Sequence, residues 1–223
     1  ALTETLELTT GILILPQRQT ALVAKQAAEI DVLSNGRMRL GIGVGWNPVE
    51  FQALGEDFHN RGQRSEEQIE VMRSLWTNNV VDFHGKWHNI THAGINPRPI
   101  QRPIPIWIGA GSGSTLVPND HILRRIARIA DGWFPMFPPD KRAHFTTNLI
   151  HQYAEEIGRN PDTIGIEGRV RTANKTQKEW YQEIKAWELS GASHLAVETR
   201  KAGLKFPDQH IKVMRQFKDT LHS

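Results

Sequence analysis

The chain has 223 residues, of which 39% are hydrophobic and 23% charged, which suits one sizeable globular domain. It has no cysteine, which excludes disulfides and thiol chemistry, and we predict no membrane partner because no apolar run is long enough for a span. The formal net charge of +3 arises from 27 basic and 24 acidic residues that are interspersed, so we also predict no nucleic-acid partner.

Short apolar segments alternate with segments of helical periodicity along most of the chain. In chain order we predict a strand over residues 6–15, a helix over 21–33, a strand over 38–44, a helix over 65–76, a strand over 104–108, a helix over 121–130, a strand over 132–134, a helix over 142–157, a strand over 164–170, a helix over 178–190, a strand over 194–197 and a helix over 208–221. Residues 78–105 are polar and proline-rich, which predicts a long excursion with a small hairpin near residues 80–87.

This alternation is typical of parallel sheets, either doubly wound or closed into a (β/α)8 barrel. Six predicted strands are two fewer than a barrel needs. If the fold is a barrel, the two missing strand–helix units would have to precede Ala1.

The strand that follows a helix stop at Asn35-Gly36 carries alternate glycines, then an indole and an amide. These residues are Gly41, Gly43, Gly45, Trp46 and Asn47. Alternate glycines clear one face of a strand, so that a flat ligand can lie against its backbone. Close approach of a neighbouring helix or strand explains the same glycines equally well. The pattern is not a dinucleotide fingerprint, because Pro48 follows where the helix of that motif would continue.

A second glycine-rich turn, Gly109-Ala110-Gly111-Ser112-Gly113, follows the predicted strand 104–108. Successive backbone N–H groups and the Ser112 hydroxyl can form an anion-binding concavity. A loop without a ligand is the alternative. Because ligands of parallel α/β folds bind at the carboxyl ends of strands, we predict a phosphate site at this turn.

The other clusters of polar residues in the sequence do not predict a metal or catalytic site. His84, His88 and His92 recur every fourth residue within the predicted hairpin, where this spacing does not converge, so we predict no metal site. Arg64 and Glu67 are interpreted as a helix-surface ion pair. The catalytic residues stay unknown, since the sequence offers neither a nucleophile elbow nor paired strand-end carboxylates.

Four further side chains follow predicted strands and are candidates for polar substrate contacts, with structural ion pairs an equal alternative: Arg169, Arg171, Glu198 and Arg200. A site built from glycines and phosphate-binding backbone, without an evident acid, base or metal, favours a cofactor that carries the chemistry. A flat ring against glycine backbone favours a flavin.

Four parts of the sequence form a combination more specific than any one of them: Leu33-Ser34-x-Gly36-Arg37-x-Arg39-Leu40-Gly41-x-Gly43-x-Gly45-Trp46; Gly55 with Arg64; Pro97-x-Pro99-x-Gln101-x-Pro103-x-Pro105-Ile106; and Ala130-Asp131-Gly132-Trp133. Together they resemble the bacterial luciferase-like monooxygenase superfamily, and most closely its branch that uses the deazaflavin coenzyme F-420. The resemblance implies an α/β fold, a (β/α)8 TIM barrel present from strand three onward with an insertion near residues 78–105. Residues 1–223 would form a single barrel domain that is incomplete at its N-terminus.

The resemblance also assigns residues to a cofactor site. Gly11 and Ile12 match a strand-three bulge, often with a non-prolyl cis peptide, that backs the flavin or deazaflavin ring. Gly41 and Asn47 match positions that contact the ring and tail, and the Gly111-Ser112 segment matches the phosphate loop. The complete predicted cofactor site is Gly11, Ile12, Gly41, Gly43, Gly45, Trp46, Asn47, Gly109, Ala110, Gly111, Ser112 and Met136.

At two positions the sequence differs from the sugar-phosphate dehydrogenases of this family, and these differences narrow the range of expected substrates. Those enzymes have a glutamate where this chain has Val44 and a phosphate-binding threonine where it has Met136. Oxidation of glucose 6-phosphate is therefore not expected.

The function that the resemblance implies is a flavin- or F-420-dependent oxidoreductase or monooxygenase acting on a small organic substrate. It works by hydride transfer or oxygen activation, with F-420 as the first cofactor choice and FMN as the second. The alternative is a non-catalytic flavin-binding barrel. We further expect a cytoplasmic protein that forms a homodimer.

Overall fold

A run of six buried residues, Met38–Gly43, forms the central strand of the first half of this computed structural model. The structure describes residues 3–111 and 117–221, and it divides into one unit of residues 1–109 and another of residues 110–223. The elements that begin in the first unit are β1 (Leu8–Thr9), β2 (Leu13–Ile14), α1 (Thr20–Leu33), β3 (Met38–Gly43), α2 (Pro48–Ala53), α3 (Arg61–Thr77), β4 (Val81–His84), β5 (Asn89–Ala93) and β6 (Ile106–Ala110).

Within the first unit β3 pairs in parallel with β1 and β2 on one side and with β6 on the other. Helices α1 and α3 pack together, and the indole Nε1 of Trp76 donates a hydrogen bond of 2.9 Å to the carbonyl oxygen of Ala24. Strands β4 and β5 form a separate antiparallel pair. An apolar parallel strand covered in this way is typical of α/β proteins, in which both faces of the sheet are buried.

A buried carboxylate joins the end of α1 to the start of β3. Asp31 accepts hydrogen bonds from the backbone N–H of Met38 at 3.3 Å and from the backbone and side chain of Gln101 at 2.9 and 2.7 Å. Between these elements the chain reverses at Asn35 and Gly36, both at positive φ, which confirms the predicted helix stop. The proline-rich segment is therefore anchored to the core by Gln101.

The second unit contains α4 (Asp120–Ile129), β7 (Gly132–Pro135), α5 (Lys141–Glu156), β8 (Gly165–Arg171), α6 (Gln177–Leu189), β9 (His194–Glu198) and α7 (Pro207–Leu221). Strand β8 pairs in parallel with β7 and with β9. The side chains of β8 alternate: Ile166 and Val170 are buried, whereas Arg169 and Arg171 are not. This alternation places the arginines on the strand face opposite the buried residues.

Gly168 lies on the buried face of β8, directly against Trp187 of α6. A Cβ at this position would stand 2.4 Å from the indole Cδ2, and the same indole donates through Nε1 to the carbonyl oxygen of Arg169 at 3.3 Å. The rigid ring is fully buried, so it cannot give way cheaply. Strand β8 and helix α6 approach this closely because the position has no side chain.

Gly168→Ala should therefore lower the free energy of unfolding by about 1–3 kcal/mol, the usual cost of overpacking a core. Urea denaturation of the parent and the variant measures the difference. The second-site change Trp187→Leu removes the opposing ring, so the two substitutions together should cost less than the sum of each alone. Additive costs, or an alanine variant as stable as the parent, would contradict this packing.

Most predicted elements lie within a few residues of the observed ones, but three predictions were wrong in detail. The predicted strand 6–15 is two short strands, β1 and β2, separated by residues 10–12. Helix α3 begins at Arg61 rather than at residue 65 because its first turn is polar and gives no apolar periodicity. Helix α2, which begins at Pro48, was not predicted. Among the described residues no helix is both long and apolar enough to cross a membrane.

Candidate functional site

The side chain of Ile12 is seated on two glycines at the carboxyl ends of β3 and β6. A Cβ at Gly43 would stand 2.3 Å from Ile12 Cδ1, and one at Gly109 would stand 3.4 Å from Ile12 Cγ2. The Gly11–Ile12 peptide bond is cis, as the family resemblance predicts. Ile12 nevertheless keeps 40% of its surface exposed. We call Ile12 with Gly43 and Gly109 the isoleucine seat.

Other glycines of β3 have separate structural reasons. The carbonyl oxygen of Gly41 accepts a hydrogen bond of 2.7 Å from the Thr10 hydroxyl, which holds the segment between β1 and β2 against β3. Gly45 has φ +75°, and a Cβ there would stand 2.9 Å from Ile14 Cγ2 and 3.0 Å from Phe51 Cε2. Close packing thus accounts for Gly45, and the cofactor contacts of both glycines stay predictions.

The indole and amide that follow β3 lie at the start of α2. Trp46 is 80% exposed. The Asn47 side chain caps α2, accepting from the backbone N–H of Val49 at 3.2 Å and donating to Glu50 Oε1 at 3.2 Å. Side-chain capping of this kind stabilises a helix by satisfying an otherwise unpaired N–H. Its role as a helix cap is therefore a finding, and contact between Asn47 and a cofactor stays a prediction.

Three predicted site residues meet in the second unit. The backbone N–H of Met136 donates to the carbonyl oxygen of Ala110 at 3.2 Å, and a Cβ at Gly111 would stand 3.3 Å from Met136 Cβ. Gly111 has φ +103°, a backbone conformation that favours glycine. Ser112, predicted to bind phosphate, lies outside the described residues.

The strand-end candidates of β8 and β9 converge on one carboxylate. Glu198 accepts from Arg171 Nε at 3.1 Å and from Arg200 Nε at 2.7 Å, and Arg169 Nη1 lies 3.9 Å from its Oε2. Burial raises the pKa of Glu198, but the hydrogen bonds from Arg171 and Arg200 outweigh burial and hold this pKa below its ordinary value. The carboxylate is therefore ionised at neutral pH.

A second carboxylate, Glu67 of α3, anchors the hairpin of β4 and β5. It accepts hydrogen bonds of 2.8 Å from the backbone N–H groups of Lys86, Trp87 and His88, and from His88 Nδ1. A Cβ at Gly85 would stand 2.5 Å from the carboxylate, so the hairpin turn closes over it only because this position is glycine. We call Glu67 with these partners the hairpin anchor.

The predicted surface pair of Arg64 and Glu67 was wrong. Arg64 instead donates to Glu56 Oε1 at 2.7 Å, while Glu67 faces the hairpin. The pair was predicted because residues three apart on a helix are neighbours on its surface. The prediction failed because each side chain pairs with a residue outside the helix instead. A glutamate on α3 followed by a distant glycine-containing turn carries no local signal of such an anchor.

The three hairpin histidines have separate partners. His84 Nδ1 lies 2.6 Å from Asn89 Oδ1, His88 bridges Glu67 and the hydroxyl of Thr20, and His92 Nδ1 lies 3.7 Å from Asp82. No group of metal-ligating side chains that could hold an ion occurs within residues 3–111 and 117–221.

A small cavity of about 140 Å³ at the carboxyl ends of β7 and β8 was not predicted as a unit. Its lining residues are Pro135, Met136, Phe137, Pro138, Arg169, Arg171, Lys175 and Glu183. Lys175 and Glu183 form an ion pair and had not been singled out from the sequence. Their loop and helix positions are eight residues apart, a separation without a recognisable pattern.

Comparison with known proteins gives a consistent family match. The model of the luciferase-like monooxygenase family matches residues 1–220. An uncharacterized protein of Mycobacterium tuberculosis, Rv0940c, is 40% identical over 133 residues, which are 60% of this chain and 43% of the relative. The FMNH2-dependent dimethylsulfone monooxygenase of Pseudomonas putida is 37% identical over 115 residues, which are 50% of this chain and 31% of that enzyme. The chain thus spans less than half the length of these curated relatives.

Solved structures show the same fold at low sequence identity. The coenzyme F420-dependent tetrahydromethanopterin reductase of Methanopyrus kandleri superposes with a TM-score of 0.66 at 23% identity, over 82% of this chain and 55% of that one. An F420-dependent secondary alcohol dehydrogenase superposes with a TM-score of 0.64 at 17% identity, over 98% of this chain and 72% of that one. The predicted α/β class, with parallel strands of the TIM-barrel kind, is confirmed.

Proposed function

We propose that this chain, which belongs to the luciferase-like monooxygenase family, uses a reduced flavin or deazaflavin to oxidise or reduce a small organic substrate. Such a cofactor supplies a hydride or, for a flavin, activates dioxygen. The protein contributes a surface that positions the ring and keeps water from it.

The isoleucine seat carries this proposal. Its apolar side chain is partly exposed at strand ends, where α/β proteins bind ligands, and the glycines beneath it leave no other side chain to compete for that space. A flat, largely apolar ring fits such a platform better than a sugar or a peptide, which would need several polar partners. A phosphate contact at Gly111 and Ser112 stays a separate prediction from the sequence.

Two observations bear on whether the cofactor is F-420 or FMN. The motif resemblance to the deazaflavin branch supports F-420, which we propose as the first cofactor and which implies hydride transfer. The 37% identity to an enzyme named as FMNH2-dependent supports FMN as the second candidate, with oxygen-dependent monooxygenation as its reaction. Cytoplasmic location and homodimer formation remain sequence predictions.

The test is an absorbance titration of the purified protein with F-420 and with FMN, oxidised and reduced. A protein that binds F-420 and does not bind FMN would support hydride transfer. A protein that binds FMN would support monooxygenation. Binding of either cofactor, without its consumption across a panel of small organic acceptors and donors, would instead support the non-catalytic flavin-binding alternative. Binding of neither would contradict the proposal.

A further inference from the structure

The arginines at the end of β8 lie beside a cavity that already has an apolar wall. Arg169 and Arg171 line it on one side, and Met136 and Phe137 line it on another. Its volume of about 140 Å³ is several times the roughly 30 Å³ that one water occupies in the liquid. The cavity can therefore hold a charged head group with a short carbon chain.

The charges around this cavity do not balance. Three guanidinium groups, of Arg169, Arg171 and Arg200, approach the single carboxylate of Glu198. Lys175 is paired with Glu183, so this second ion pair contributes no compensating negative charge. Arg200 is largely exposed and does not line the cavity, so the two guanidinium groups at the cavity itself are those of Arg169 and Arg171, and a bound anion would relieve their mutual repulsion.

Arg169 is the member of the cluster with the most unused hydrogen-bonding capacity. Its side chain is 27% exposed, and its nearest carboxylate oxygen lies 3.9 Å away, beyond hydrogen-bond distance. Within the described part of the chain its guanidinium group donates no hydrogen bond. A half-buried guanidinium group with five N–H donors gains most from a ligand that accepts two of them at once.

We infer that this cavity binds the carboxylate or sulfonate of a small organic anion, held by Arg169 and Arg171, with its carbon chain against Met136 and Phe137. A planar guanidinium fork matches both oxyanions, and the apolar wall favours a short aliphatic chain over inorganic phosphate. That this anion is the substrate rests on the proposed oxidoreductase function. The existence of an anion-binding site does not rest on that function, because it is argued from the cavity and the arginines of the second unit.

The same oxyanion chemistry has a second source, the phosphate of the cofactor. Comparing FMN with riboflavin, which lacks the phosphate, separates the two sources. If the cavity serves the substrate, Arg169→Gln leaves the affinities for FMN and riboflavin unchanged. Selective loss of FMN affinity in this variant would overturn the assignment to a substrate.

The binding test is a calorimetric titration of the purified protein, without cofactor, with sodium butanesulfonate and with sodium butyrate. We expect Arg169→Gln to weaken binding about tenfold or more, because it removes charged hydrogen bonds. The anion affinity of Arg169→Lys should lie between those of the parent and Arg169→Gln, since lysine keeps the positive charge and lacks the planar guanidinium fork. If the glutamine variant fails to fold, the lysine variant still decides the question.

Arg124→Gln is the matched control. Arg124 is an exposed arginine of α4 in the same unit, and it pairs with Asp120 and Glu156 at 2.8 and 3.0 Å. This control should bind both anions like the parent. An equal loss of affinity in both glutamine variants, or no anion binding while F-420 or FMN still binds, would overturn the anion site and leave the proposed function standing. Anion binding by a protein that binds neither cofactor would overturn the proposed function and leave the anion site standing.

Discussion

Gly43→Ala should weaken binding of F-420 or FMN by about tenfold or more while changing the free energy of unfolding by less than about 1 kcal/mol. The new methyl group would stand 2.3 Å from Ile12 Cδ1, so the Ile12 side chain must rotate. Rotation is inexpensive for the fold because the clashing atom is the end of a partly exposed side chain. The displaced side chain then occupies the space proposed for the ring. Absorbance titration and urea denaturation measure the two quantities.

Ile12→Val provides the control for this prediction. Valine lacks the Cδ1 atom, and the next Ile12 atom, Cγ1, would stand at an ordinary 3.4 Å from the Gly43→Ala methyl group. The double variant Gly43→Ala/Ile12→Val should therefore recover most of the lost cofactor affinity. A double variant that binds as weakly as Gly43→Ala alone would show that the isoleucine seat is not where the ring lies.

Glu67→Gln should lower the free energy of unfolding by about 2 kcal/mol at neutral pH. The carboxylate accepts four hydrogen bonds of 2.8 Å, and the amide group of glutamine would present N–H donors to at least one of the backbone N–H groups. The side chain is 13% exposed, so water cannot readily replace the lost acceptor. Urea denaturation measures the loss, and Glu70→Gln, an exposed change on the same helix, should cost little.

The cost of Glu67→Gln should also depend on pH. Burial raises the pKa of Glu67, but the hydrogen bonds from His88, Trp87 and Lys86 outweigh it and leave this pKa below the ordinary 4.5. A carboxyl whose pKa is lowered by folding stabilises the fold above its unfolded pKa, and this contribution is lost as the pH falls through the folded pKa. The difference between parent and variant should therefore shrink below about pH 4.5. A difference that stays constant down to the folded pKa would contradict the role of the charge.

The sequence predicted the alternating elements well because each has its own periodicity, as the buried run of β3 illustrates. It predicted that Gly43 and Gly109 contact a cofactor, which stays a prediction, and it did not predict that both glycines lie against Ile12. Ile12 is distant in sequence from both glycines and reaches them through strand pairing. Pairing partners are a property of the folded sheet, and no local pattern encodes them.

Charged residues were harder to interpret for a related reason. Arg169, Arg171 and Glu198 were recognised as strand-end groups, since strand position follows from local pattern. Their meeting depends on the register of β8 with β9, which places Arg171 opposite Glu198. Glu67 was assigned to the wrong partner because its true partners lie about twenty residues away in the hairpin.

The hairpin anchor also determines how freely its loop can change in sequence. Glu67 holds the loop through main-chain amides, which every residue except proline possesses, and the side chains of Lys86 and Trp87 take no part in those bonds. Relatives could therefore carry quite different residues at these two positions and still fold the loop in the same place. These main-chain bonds require glycine at position 85 and an acceptor at position 67, so the outer surface of the hairpin is open to diversification while its attachment stays fixed.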